Sequence, residues 1–347
     1  MSAQDKKGAP RKKVTMADIA EQLGISKNSV SLALSDKHGV SDELRKKVIE
    51  KASAMRYGDY AGRGGRPSAC IALLVPEYLH EDAFFYSEVF WAIEAEAKRR
   101  GYIPINIGIS NEMEAELALP ALPDEMHFIG LLAAGVMRGA YMEKLCGLGL
   151  PMISVDIEYC GLPVGCVGSA NLSGGYMAAR YLLDCGHREI GFIGPVNTAL
   201  SIYERYCGYQ LAMRRAGVPD SAAYDITGDS AGFQLFDTAE VLGPLVDRVR
   251  SFPTAWFCAG DRIAIALCGL LAQRGVKVPD DVSVMGFDGL SVSEIVTPRL
   301  TTINIDRRQM GKRAVAALHD MAIKNDCSPI NISVLGTLAE RDSVRRI

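Results

Sequence analysis

Lys27 and Asn28 open the run "KNSVSLAL", and both are residue types that read bases in nucleic acid. A lysine donates to N7 and O6 of guanine, and an asparagine pairs with N6 and N7 of adenine. Ser26, Ser29 and Ser31 interleave with them; serine hydroxyls suit phosphate oxygens, contacts that position a protein without specifying a sequence. Val30, Ala33 and Leu34 recur at helical spacing and turn one face inward, which leaves Lys27, Asn28, Ser31 and Leu32 on or near the other. A three-helix unit that touches protein would show the same apolar face, but the outward Lys-Asn-Ser run and the local positive charge favour DNA. Enzyme chemistry finds little support. There is no P-loop and no Gly-x-Gly-x-x-Gly opening a helix after the first strand. The five histidines, at 38, 80, 127, 187 and 319, share no ligand or triad spacing. The nine cysteines lie scattered through apolar runs without a Cys-x-x-Cys. That usage fits reduced, buried thiols in a cytoplasmic protein, with no metal site and no cofactor expected.

The elements that carry these residues are legible. Thr15 and Asp18 have capping-box spacing, which starts a helix bearing Ile19, Ala20 and Leu23 on one face. Gly24 ends it with the left-handed backbone that a sharp turn needs, and Ser26 caps the next helix. A third amphipathic helix is predicted from Ser41 to about Met55, with Leu44, Val48, Ile49 and Ala52 inward. Three short helices with a tight glycine turn between the first two make a helix-turn-helix domain over residues 14–57. Charge supports the assignment. Residues 1–66 carry 14 Lys and Arg against 8 Asp and Glu, whereas the rest carry 24 against 33. A basic head on an acidic body suits a polyanionic partner for the head alone. Residues 1–13, with Lys6, Lys7, Arg11, Lys12 and Lys13, read as a basic disordered arm that adds phosphate contacts.

From residue 69 onward the pattern changes. Apolar runs at 69–76, 102–108, 128–135, 151–157, 189–195, 255–260, 282–289 and 300–305 alternate with helical patterns at 86–100, 173–184, 202–216, 261–273 and 307–323. Near-continuous apolar strands between helices predict parallel sheets covered on both faces, and so many strands predict two doubly wound lobes. The fold class is therefore α/β, a helix-turn-helix domain followed by a two-lobed body over 69–347. Ligands of such sheets bind beyond the carboxyl ends of the strands. No apolar run reaches the roughly 18 residues that span a membrane. The basic N-terminus has no apolar stretch behind it, so no secretory signal is expected.

Several ordered blocks resemble the lactose-repressor/galactose-repressor (LacI/GalR) family of bacterial transcriptional regulators. They are "VTMADIAEQLGISKNSVSLALS", "GVSDELRKKVIEKASAMRY", "GHREIGFIGP", "ERYCGYQLAM", "VPDDVSVMGFDG" and "PRLTTINIDRRQMGKRAV", and the likeness runs from about residue 14 to "LAERDSV". The resemblance implies a periplasmic-binding-protein-like body with lobe 1 at about 69–167 and 295–326 and lobe 2 at about 168–294 and 327–347. The chain would cross between them near 168, 293 and 327. It implies a DNA-facing set of Thr15, Ser26, Lys27, Asn28, Ser29, Ser31 and Leu32, with Leu32 where most relatives have Arg. It also implies an effector cleft. Arg205 aligns with an Arg that clamps ring hydroxyls, a geometry that a planar guanidinium suits. Asp288 ends a strand, where it accepts bonds from hydroxyls or caps the next turn. Asp261 follows Gly260, which replaces an Asn that touches ligand in relatives, and it faces the cleft or caps its helix. Phe84 and Phe85 floor the pocket or belong to the core. Asp156, Ser169 and Asn171 are weaker candidates, and His187 falls in a block with a structural role.

The resemblance further implies a ligand-responsive repressor acting as a homodimer on double-stranded operator DNA, with a small sugar-like effector. Control by a partner protein instead of a free sugar is the alternative within that class. A sugar receptor or enzyme without a DNA role is the rival outside it, and the helix-turn-helix argues against it. Residues 58–68 stand where relatives have a hinge helix with a Leu wedge. Gly58, Gly62, Gly64 and Gly65 make a helix there costly, by about 1 kcal/mol each relative to Ala. "RGGRP" instead resembles an AT-hook core with one extra Gly, which places Arg63 and Arg66 in a minor groove unless the segment is a plain linker.

Overall fold

The computed structural model describes residues 14–34, 39–55, 69–81, 84–123, 125–218, 224–228 and 236–347. The chain divides into two units, Met1–Ala69 and Cys70–Ile347. The expected basic arm, the linker and its Arg63 and Arg66 lie outside the described residues.

The first unit holds α1 (Met16–Leu23), α2 (Lys27–Leu34) and α3 (Asp42–Ala54). Its small core joins Ile19, Ala20, Val30, Ala33, Leu34, Val48 and Ala52. Gly24 sits at φ 64°, ψ 31°, where its N–H reaches the carbonyls of Ala20 and Glu21, so α1 closes within one residue and α2 starts at once. Arg45 of α3 donates to the carbonyls of Ala33 (3.1 Å) and Leu32 (3.4 Å), which satisfies the C-terminal end of α2.

The second unit begins with β1 (Cys70–Pro76), α4 (Tyr86–Arg99), β2 (Ile103–Ile109), α5 (Asn111–Glu116), β3 (Phe128–Ala134), α6 (Gly139–Cys146), β4 (Met152–Val155) and β5 (Gly165–Ser169). There follow α7 (Asn171–Asp184), β6 (Ile190–Ile193), α8 (Leu200–Arg215), α9 (Ala239–Asp247), β7 (Ala255–Cys258), α10 (Asp261–Gln273), β8 (Ser283–Asp288) and β9 (Thr301–Asn304). The last elements are α11 (Arg307–Lys324), β10 (Asn331–Val334) and β11 (Thr337–Ala339). One sheet has the order β10-β5-β4-β3-β1-β2 and is parallel throughout. The other has the order β11-β9-β8-β7-β6, parallel except for the antiparallel edge strand β11. Both are covered by helices, as the apolar strands require: all of β1 is buried, whereas the edge strand β2 is largely exposed or half-buried.

Sheet pairing moves two of the expected crossings. The chain leaves the first lobe after Ser169, close to the expected 168. However, β9 pairs with β8 from Met285 to Asp288, so residues 301–304 belong to the second lobe and the chain returns only between Asn304 and Arg307, not near 293. Likewise β10 pairs with β5 in the first sheet, so the last crossing falls between Val334 and Thr337 instead of near 327. Residues 301–304 thus belong to the second lobe and residues 331–334 to the first, because strand character does not reveal which sheet will supply the hydrogen bonds.

Two glycines set the geometry of the second lobe. A Cβ on Gly208 of α8 would lie 2.1 Å from the Leu172 carbonyl oxygen of α7, and one on Gly175 would lie 2.1 Å from the Arg205 carbonyl oxygen. The two helices therefore touch backbone to backbone, which brings Asn171 and Arg205 within bonding distance.

Candidate nucleic-acid interface and ligand cleft

The first unit presents α2 with its ends tied down. Thr15 caps α1: its hydroxyl accepts from Asp18 N at 3.3 Å while its own N–H donates to Asp18 Oδ2 at 2.6 Å. Ser26 caps α2 by accepting from Ser29 N at 3.0 Å, and the two hydroxyls lie 2.9 Å apart. Thr15, Ser26 and Ser29 therefore hold helix ends, as expected for Ser26. Lys27 and Asn28 are exposed on the first turn of α2. Ser31 and Leu32 are half-buried, and Leu32 Cδ1 packs so closely on Gly39 that a Cβ there would come within 3.3 Å.

In the second unit the carboxyl ends of β4 and β8 carry Asp156 and Asp288, both at positive φ (77° and 102°), a conformation that non-glycine residues rarely adopt. Such strained corners cluster at functional sites. Arg205 is 6% exposed and its guanidinium is committed inside the protein. Nε donates to Asn171 Oδ1 (3.0 Å), Nη1 donates to the Ala259 carbonyl (2.5 Å) and pairs with Asp288 Oδ1 (3.2 Å), and the group stacks 3.8 Å from the Phe287 ring centre. The expected clamp is thus a brace that fixes Asn171 and Asp288. Burial pushes the Asp288 carboxyl up to about 6, opposed by Arg205 and assisted by the charge of Asp156. Gly260, in the place of a larger residue, leaves room for that carboxylate: a Cβ there would stand 3.1 Å from Asp288 Oδ2.

Asp261 does not face the cleft. It is fully buried and accepts from Leu290 N (2.7 Å) and Thr302 Oγ1 (2.6 Å), so it fastens the β8–β9 connection to α10. Burial, with Asp288 nearby, pushes it up to about 8. Phe84 is 41% exposed, whereas Phe85 is half-buried, edge-on to Tyr86 at 5.1 Å. Tyr86 in turn donates to Asp156 Oδ2 at 2.9 Å. His187 is buried between Thr254 and the Arg345 carbonyl, a structural position.

Arg307, which no sequence feature singled out, bridges the lobes. Arg307, at the start of α11, donates to the carbonyls of Asp288 (2.5 Å) and Gly289 (3.1 Å) in the second lobe and to Glu88 Oε1 (3.1 Å) of α4 in the first. Where the chain crosses at Ser169–Asn171 and again at Ser333–Leu335 lies a cavity of about 270 Å3. Asp156, Glu158 and Ser169 line it from the first lobe, and Asn171, Ser201 and Glu204 from the second. Sequence reasoning passed over Glu204, although it opens the block "ERYCGYQLAM", and Glu158 lies in no quoted block; only the fold brings them together.

Residues 15–60 match the bacterial regulatory proteins of the lacI family, and residues 179–344 match a periplasmic binding protein-like domain. The chain thus joins a lacI-family helix-turn-helix domain to a periplasmic binding protein-like domain. The HTH-type transcriptional repressor PurR of Vibrio parahaemolyticus serotype O3:K6 is 29% identical over 314 residues, 88% of this chain and 90% of that protein. The HTH-type transcriptional regulator DegA of Bacillus subtilis (strain 168) is 27% identical over 343 residues, 92% of this chain and 99% of the other. Among solved structures, the transcriptional regulator CelR–cellobiose complex superposes with a TM-score of 0.67 at 23% identity, covering 95% of this chain and 100% of that one. The lac repressor dimer bound to operator and the anti-inducer ONPF gives 0.66 at 21%, covering 96% and 100%. These structural likenesses concern the fold. Together with the lacI-type helix-turn-helix, the relatives make this chain a DNA-binding transcriptional regulator.

Proposed function

We propose that this regulator reads a palindromic operator as a homodimer through α2, and that a small sugar-like ligand between its lobes sets operator affinity. Lys27 and Asn28 are the exposed base-reading types on the first turn of α2. Leu32 meets at most a thymine methyl, and Ser31 reaches phosphate. The proposal that Arg63 and Arg66 follow the minor groove rests on sequence alone. One helix-turn-helix of this size grips one half-site, so affinity requires two copies matched to a palindrome.

The observation that carries the ligand part is the polar cavity lined by both lobes and by two of the three crossings between them. A ligand there touches the segments whose conformation sets the lobe angle. It shifts DNA affinity to the extent that it binds one lobe arrangement better, usually about 1–3 kcal/mol of coupling. The cellobiose of the CelR complex is consistent with a sugar-like class. Arg205 acts through Asn171 and Asp288, which it holds in place.

Selection from random DNA tests the reading of bases. Wild type should yield a palindromic motif, and Asn28→Ala should lose about 1–3 kcal/mol and relax one position in each half-site. Identical motifs would remove Asn28 from the interface. Sedimentation at micromolar concentration should give the mass of two chains. Ligand control is tested by operator binding with and without each member of a sugar and sugar-phosphate panel, on wild type and Arg205→Ala. A ligand that binds in the cleft yet leaves operator affinity unchanged overturns it.

A further inference from the structure

The cavity at the lobe crossings is one-sided in charge. Asp156, Glu158 and Glu204 line it, and no Lys, Arg or His is among its lining residues. The three carboxylates share one neighbour. Each acts to raise the thiol of Cys166, which also lines the cavity and which burial pushes up to about 12. Burial likewise holds Glu204 above the usual carboxylate range, and the charge of Glu158 adds to that, opposed by the Asn171 hydrogen bond and by the charge of Arg205, which lies behind the cavity wall and does not line it. Tyr86 donates to Asp156 (2.9 Å), Asn331 to Glu158 (2.8 Å) and Asn171 to Glu204 (3.3 Å). All three donors are neutral.

A second observation is independent of the carboxylates. Ser169, the last residue of β5, lines the cavity and is 6% exposed, and its Oγ has no hydrogen-bond partner among the described residues. A buried hydroxyl in that position is costly unless a molecule in the cavity bonds to it.

The helix starts act in the opposite sense. Asn171 and Leu200, the first residues of α7 and α8, line the cavity, and neither helix has a side-chain cap. Each N-terminus carries roughly half a positive charge, so together they offset about one of the three carboxylates. Their amides remain available as donors to ligand hydroxyls. Among the described residues no group of three or more His, Cys, Asp or Glu could hold a metal ion. No aromatic ring lines the cavity, so a cation bound there is held by hydrogen bonds and charge, not by π faces.

The geometry points to a small polyhydroxylated amine as the ligand of this cavity, its ammonium against Glu158 and Glu204 and its hydroxyls toward Ser169, Ser201 and the first amides of α7. This assignment rests on the ligand control proposed above and names the chemical class. It sets the ligand apart from neutral sugars and from sugar phosphates, whose anionic group the three carboxylates would repel.

The test is calorimetric titration of the full-length protein with isosteric compounds of different charge: glucamine, glucitol and gluconate, with glucosamine against glucose as a cyclic pair. The amine of at least one pair should bind about tenfold or more tightly than its neutral counterpart, with gluconate weakest. Glu158→Gln, on an exposed side chain, and Glu204→Gln should each erode that preference, and together should abolish it, with thermal unfolding as the check on folding. Equal or tighter binding of glucitol and glucose overturns the assignment, and so does the absence of heat from both amines up to about 10 mM. The two proposals fail separately. A neutral sugar that binds and shifts operator affinity leaves ligand control standing and removes the amine. An amine that binds through the two glutamates but leaves operator affinity unmoved keeps the cavity assignment and removes ligand control.

Discussion

At the scale of single residues, Asp261 shows how one carboxylate serves structure at a pH-dependent cost. It is fully buried and pushed up from 3.8 to about 8, so the folded protein holds this proton far more tightly than the unfolded chain does. Its stabilising contribution is therefore complete below about pH 4 and declines as pH rises toward 8, with a slope of at most about 1.4 kcal/mol per unit. Asp288, raised from 3.8 to about 6, acts in the same direction over a narrower window. Chemical denaturation at about pH 5.5, 7 and 8.5 should show stability falling with pH, and Asp261→Asn should flatten the fall. The amide retains an acceptor for Leu290 N and presents a donor to Thr302 Oγ1, so the variant is expected to fold. An unchanged slope would show that Asp261 is charged in the folded protein. The family resemblance singled out Asp261, Arg205 and Asp288, because it matches local blocks of sequence. It did not foresee that Asp261 and the Arg205 guanidinium turn inward, because their partners, Thr302 and Ala259, lie 41 and 54 residues away.

At the scale of elements, the approach of α7 and α8 depends on Gly175 and Gly208. Gly208→Ala would drive a methyl into the Leu172 carbonyl at 2.1 Å, which only a shift of the helix backbones can relieve. The expected cost is about 1–3 kcal/mol. The larger consequence is positional, because the same shift pulls Arg205 away from Asn171, now 3.0 Å apart. Denaturant midpoints for Gly208→Ala and for Gly269→Ala, whose added methyl meets nothing within 4 Å, separate crowding from generic glycine loss. Equal midpoints would show that the helices tolerate the methyl. Strands such as β1 and β8 were legible because they are continuous apolar runs. By contrast, β5 reads "GCVGS" and β10 reads "NISV", too short and too polar to stand out. The edge strand β10 holds its place only by pairing with β5 across 165 residues, from Cys166 to Asn331, and β5 joins it to β4.

At the scale of the whole molecule, Arg307 ties the two lobes. It reaches Glu88 on one side and the carbonyls of Asp288 and Gly289 on the other. Arg307→Ala should lower stability by on the order of 2 kcal/mol, because it leaves buried acceptors unpaired. It should also widen the cleft, seen as a larger radius of gyration in small-angle scattering. Unchanged scattering would mean that the lobes are held by packing alone. The strand order has a consequence for synthesis. The edge strand β10 of the first sheet and the edge strand β11 of the second both follow every other strand in the chain. A nascent chain therefore emerges with its compact three-helix head able to fold early, while neither lobe has a finished sheet until residues beyond Val334 are made. During that interval β5 exposes an unpaired edge from Cys166 to Ser169, the kind of surface that recruits foreign strands. A product truncated before β10 would carry the DNA-reading helices on an unfinished body. It would be handled by the cell as an aggregation hazard before it could act as a regulator.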